Sequence, residues 1–83
     1  DRNGLECDAV IGLRDGTFGL IEIKIGGDAA IEAGVSTLTR LAAKIQAAGM
    51  QSAAFLMVLT AVGNYAFRRP DGIFVVPIGC LRE

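Results

Sequence analysis

Asp8, Glu22 and Lys24 are the residues of this chain best suited to chemistry. Glu22-Ile23-Lys24 falls in a β-branched, apolar stretch that reads as a strand, so the side chains of Glu22 and Lys24 share one face. Asp8 lies on the strand-like stretch before it. Two carboxylates and the Ile23 carbonyl offer hard oxygen ligands to Mg²⁺ or Mn²⁺. A cation held there would activate a water and offset charge building on a phosphodiester under attack. Lys24 would position that water or stabilise the transition state. Other chemistries have less to build on, because the chain holds no histidine, no CxxC and no phosphate-cradling GxxxxGK[ST] loop.

The elements that must position these residues can be read in order. Leu5 to Leu13 reads as a strand, Arg14-Asp15-Gly16 as a turn, and Thr17 to Ile25 as a second strand. Gly26-Gly27 breaks it, and Asp28 is the expected helix N-cap. Ile31, Val35, Leu38, Leu41, Ala42 and Ile45 recur at helical spacing between Ala29 and Ala48, with Gly49 as the residue that ends the helix. Ala53 to Thr60 is continuously apolar, as for a strand covered on both faces and parallel to Thr17–Ile25. Tyr65 to Arg69 and Ile73 to Ile78 read as short strands joined by Pro70-Asp71-Gly72. The fold class is therefore α/β: a mixed sheet with one long crossover helix and a C-terminal hairpin.

Whether Asp8 and Glu22 meet depends on the first turn. A two-residue Asp15-Gly16 loop sets Asp8 opposite Ile23 and puts the carboxylates on opposite faces. A three-residue loop, with Gly16 in the left-handed region, pairs Leu13 with Thr17 and sets Asp8 opposite Glu22. That register also sets Glu6 opposite Lys24, as an outer ligand or a salt-bridge partner. Facing carboxylates repel unless a cation lies between them. The plainer reading is an edge strand whose Glu and Lys keep one face soluble. Against it, Val10, Phe18 and Leu20 share the face, and the strand leads into a crossover helix.

Composition bounds the answer. Eighty-three residues make one small domain, residues 1–83, and 52% hydrophobic with 20% charged residues describes a core-forming chain. The net charge of −1 argues against a strongly basic nucleic-acid surface. No apolar run reaches the roughly 18 residues of a membrane span. Cys7 and Cys80 read as ordinary buried thiols of a cytoplasmic protein. The start at Asp1 rather than Met suggests a fragment of something longer.

Asp8 followed by Glu22-Ile23-Lys24 on adjacent strands, then a helix and a buried strand, resembles the PD-(D/E)XK nuclease superfamily. The resemblance implies a restriction endonuclease-like core and a metal-binding Asp8 and Glu22 with a catalytic Lys24. The further acidic residue that family carries on a helix before its first core strand has no counterpart here. A closer resemblance covers nearly the whole chain. Gly4-Leu5-Glu6-Cys7-Asp8, Ile21 to Gly26, Tyr65 to Gly72 and Val76 to Leu81 look like the C-terminal domain of unknown function that follows the ATPase module of many bacterial and archaeal AAA-type ATPases. That implies a nuclease-like domain attached to an N-terminal ATPase module lying outside this chain.

Arg68 and Arg69, with Arg40 and Lys44 on the helix, could contact DNA phosphates; solvated arginines on an exposed hairpin are the simpler reading. Tyr65 and Phe67 could stack on bases or pack on the sheet. Gly26-Gly27 makes a poor phosphate site, because Asp28 already brings negative charge to the helix start. Three functions follow from these readings: Mg²⁺-dependent hydrolysis of DNA, a catalytically silent module that binds nucleic acid or protein and regulates an attached ATPase, or a purely structural or dimerisation domain.

Overall fold

A computed structural model describes residues 7–81, so Leu5 and Glu6, on which the first strand and the fourth charge were expected, lie outside the described residues. Five strands and one helix follow in the order β1 (Ala9–Gly12), β2 (Phe18–Lys24), α1 (Asp28–Ala47), β3 (Phe55–Thr60), β4 (Phe67–Arg68) and β5 (Phe74–Pro77). They form one mixed sheet in the order β1-β2-β3-β5-β4. β2, β3 and β5 run parallel, and β1 and β4 are antiparallel edges. The α/β class and the parallel crossover through α1 are as expected.

The first turn decides the register. Leu13 N–H donates to Thr17 O at 2.8 Å, Gly16 N–H donates to Leu13 O at 3.1 Å, and Gly16 has φ +88. This is the three-residue loop with glycine in the left-handed region. Asp15 tightens it, accepting from the Thr17 hydroxyl at 2.6 Å and the Thr17 N–H at 3.0 Å. Those bonds hold the Asp15 carboxyl below its usual range, with the Thr17 hydroxyl the largest cause.

α1 lies on one face of the sheet. Leu20, Val58 and Ile73 from the strands meet Val35, Leu38 and Leu41 from the helix, all buried. Gly34, which the hydrophobic stripe did not include, is also buried on this side. The helix ends as Gly49 suggested. Met50 N–H bonds Ile45 O, Gly49 N–H bonds Gln46 O, and Gly49 has φ +77, the pattern of a Schellman cap. Its start differs: Gly27 occupies the N-cap position without a side-chain cap bond, and Asp28 is the first helical residue. There its charge opposes the helix dipole rather than binding an N–H.

The opposite face carries a second apolar cluster of Ile21, Leu59 and Val76, flanked by Ala9, Phe55, Met57 and Phe74. No element among the described residues covers it, so β3 has a helix on one face only. The strands are also shorter than expected. β3 starts at Phe55, Tyr65 precedes β4 rather than joining it, and Ile78–Leu81 turns into a 3₁₀ helix instead of extending β5. Neither cysteine is a fully buried thiol: Cys7 is half-buried and Cys80 exposed, and both are free.

Candidate functional site

β2 places Leu20, Glu22 and Lys24 in sequence along the helix-covered face, alongside Leu56, Val58 and Thr60 of β3. Glu22 is therefore carried into the core beneath α1 and is only 7% exposed. Its Oε2 lies 3.5 Å from Lys24 Nζ, and its buried Oε1 accepts no hydrogen bond from any described residue. A buried carboxylate oxygen without a partner costs about 1–3 kcal/mol, so this atom calls for a ligand. As a hard oxygen, Oε1 is of the type that ligates a divalent cation, while Oε2 is paired with Lys24.

Lys24 is held by packing as well as charge. A Cβ at Gly34 would come within 3.1 Å of Lys24 Cγ and 3.2 Å of Val58 Cγ2. The bare glycine thus lets α1 approach closely enough to press on the Lys24 stem. The Lys24 side chain as a whole remains 30% exposed, so it is not sealed under the helix as Glu22 is.

Asp8 reaches this region by a route the strand register did not foresee. Regular pairing ends at Ala9↔Ile21, one residue short of an Asp8–Glu22 pair. Instead, Asp8 N–H donates to Ile21 O at 3.1 Å and Asp8 Oδ2 accepts from Ile23 N–H at 2.7 Å. The carboxylate takes the place a backbone carbonyl of β1 would have occupied. The alternation of faces breaks at the same point, since Cys7 packs against the helix-side core and Ala9 against the opposite cluster. Asp8 is bound to the residues on either side of Glu22 without facing it as a ladder pair. In an extended strand the N–H and C=O of one residue point the same way. The Ile23 carbonyl therefore lies on the Asp8 side of β2, and Glu22 rises from the covered face. No cluster of three metal-ligating side chains occurs among the described residues.

Among the described residues, the four basic side chains expected to contact phosphates do not gather into one patch. Arg69 is held by Glu32 at 2.7 Å and by Asp71 at 3.1 Å, which raise its pKa, Glu32 being the larger cause. Arg68 donates to Gly72 O and stacks over Phe74, with its guanidinium carbon 5.4 Å from the ring centre. Arg40 bonds Ser36 along the exposed side of α1, and Lys44 lies one turn further on. At 1.5 Å per residue, Arg40 and Lys44 are about 12–18 Å along the helix from Glu32, where Arg69 is tied.

A groove at the carboxyl end of the parallel strands was not foreseen as a unit. Its volume is about 280 Å³, and Thr60, Asn64, Tyr65 and Phe67 line it together with Ile31, Val75 and Pro77. The available signal was the Tyr65–Phe67 pair after an apolar strand, but only the topology brings Ile31 and Pro77 opposite them. No helix among the described residues is long and apolar enough to cross a membrane. Comparison of the chain with protein-family models, with curated proteins and with solved structures found no match.

Proposed function

We propose that this chain is a nuclease-like domain of the PD-(D/E)XK type, attached to an AAA-type ATPase, that hydrolyses DNA phosphodiesters with Mg²⁺ or Mn²⁺. The observation that carries the reading is the buried Glu22 carboxylate with its orphaned Oε1, 3.5 Å from Lys24 and flanked by the residues that hold Asp8. Glu22, Asp8 and the Ile23 carbonyl would hold the cation, which when bound would supply an activated water and charge stabilisation at the phosphate. Glu22 is kept oriented by burial under α1. Asp8 is fixed by its bond to the Ile23 N–H. Lys24, steadied by Gly34, donates to the substrate phosphate or to the attacking water.

The test combines binding with cleavage. Isothermal titration with Mn²⁺ should show binding to the unaltered protein and none to Asp8→Ala. Cleavage of plasmid or branched DNA should disappear in Lys24→Ala. Cation binding that survives Asp8→Ala, or cleavage indifferent to Lys24, would overturn the assignment.

A specific observation favours a second reading, a catalytically silent module that binds nucleic acid or protein and regulates the ATPase. Arg69 is occupied by two carboxylates, and among the described residues Arg40 and Lys44 lie further along α1 from it. On this reading the Glu22–Lys24 pair is a structural ion pair, and titration with Mn²⁺ gives no heat.

A further inference from the structure

We infer that the groove beside Tyr65 and Phe67 receives an unstacked nucleobase, next to the phosphate engaged at Lys24, so that the preferred substrate is a single strand or a frayed end. The neighbouring phosphate rests on the hydrolytic reading above. The base slot itself has its own evidence.

Position comes first. The groove opens at the carboxyl ends of β3 and β5, the region of open α/β sheets where ligands bind. Thr60, on its wall, is the register partner of Lys24. The groove therefore begins one strand away from the Lys24 backbone, about 5 Å at normal strand spacing, on the face from which the Lys24 side chain rises.

Its lining is the second argument. Tyr65 is 71% exposed and Phe67 45% exposed, in a chain with four Phe, one Tyr and no Trp. Their rings stand edge to face, 6.4 Å between centres and 62° between planes, so one can present a flat surface while the other closes a side. Ile31, Val75 and Pro77 supply apolar surface around them. The Thr60 hydroxyl is committed to Val62 O at 2.9 Å, whereas the Asn64 amide offers both a donor and an acceptor to a base edge. The volume of about 280 Å³ falls at the lower limit of pockets for drug-sized molecules, which suits a single flat ring system.

Charge decides between single strand and duplex. Duplex binding draws mainly on clustered cations against the backbone, and among the described residues Arg69 is tied to two carboxylates and Arg40 and Lys44 lie further along α1. Stacking needs an exposed base face, which a paired and stacked base does not offer.

Tyr65 makes the test direct, because it is the only tyrosine in a chain without tryptophan. The protein is titrated in EDTA with oligothymidylate and, separately, with a duplex of equal length. Tyrosine emission should be quenched by the single strand and little changed by the duplex. Anisotropy of a labelled oligothymidylate should show binding weakened roughly 5- to 150-fold in Tyr65→Leu, the range for loss of one base stack. Circular dichroism confirms the fold of this surface variant. No quenching, equal response to duplex, or wild-type affinity in Tyr65→Leu would overturn the proposal. Because these measurements exclude the cation, the two readings fail separately. Quenching without Mg²⁺-dependent cleavage keeps the base slot and removes hydrolysis. Cleavage without quenching does the reverse.

Discussion

Glu22 is the one described residue whose buried side chain leaves a polar atom unsatisfied. Replacing it by leucine removes that burden, and Lys24, whose side chain is 30% exposed, is not left as a fully buried charge. Glu22→Leu should therefore raise stability by about 1–2 kcal/mol in urea unfolding without divalent cation. Mg²⁺ should raise the melting temperature of the unaltered protein and leave that of the variant unchanged. A less stable Glu22→Leu would mean that the carboxylate is better satisfied than its geometry implies. Gly34 is the complementary case. In Gly34→Ala the added methyl crowds Lys24 and Val58, costing about 1–3 kcal/mol by overpacking, partly offset by better helix propensity. Cleavage should fall further than stability, since the displaced group is Lys24. Glu22 and Lys24 were legible because alternation along a strand fixes their shared face. Gly34 was not, because a mid-helix glycine reveals a close approach only once the opposing lysine is known. Asp8 was legible in place but not in contact: its short carboxylate could replace a backbone acceptor, and nothing in the spacing signals that exchange.

Turns and caps govern the elements. Gly16 at φ +88 sets the register of β1 against β2, so Gly16→Ala should cost about 1–2 kcal/mol, measured by denaturant unfolding. The second hairpin depends on Asp71, which accepts from Ile73 N–H at 3.1 Å and from Arg69. Those bonds, the Ile73 N–H foremost, lower the Asp71 pKa. The folded value is below the unfolded one, so this contribution is complete above the ordinary carboxylate range and is lost as pH falls through the lowered value. Carboxyl NMR titration should show Asp71 and Asp15 protonating at lower pH than model peptides, with both turns loosening only in acid. The place of the first turn, the helix and the parallel crossover were readable, because glycine placement and apolar period specify them locally; the length of that turn was not, since Arg14-Asp15-Gly16 suits a two- or a three-residue loop. The C-terminal strands were not: Tyr65, Phe67 and Ile78 have strand-like composition, yet only Phe67 and Arg68 find a partner on β5.

At the scale of the molecule, the charge of −1 and the tethering of Arg69 limit how much binding can come from counterion release. Oligonucleotide affinity should fall only gently with salt, with a log–log slope no steeper than about −2, since each neutralised phosphate of a single strand contributes about −0.7. A steep slope would place a basic surface where the structure shows none among the described residues. The strand order carries a different consequence, for the way the chain folds. β1 with β2 and β4 with β5 are antiparallel hairpins closed by short turns, whereas β3 joins the two through parallel pairings that are distant in sequence. Each hairpin can form within microseconds, while insertion of β3 must wait for the long closure through α1. Val58, in the middle of that strand and fully buried, would then be a nucleus residue. In a chevron experiment Val58→Ala and Gly16→Ala should both act mainly on the refolding rate, since the hairpin turn precedes the rate-limiting step and the packing of β3 belongs to it. The middle strand would thus be the keystone of assembly, and the Glu22 carboxylate would be sealed from water only at the rate-limiting step.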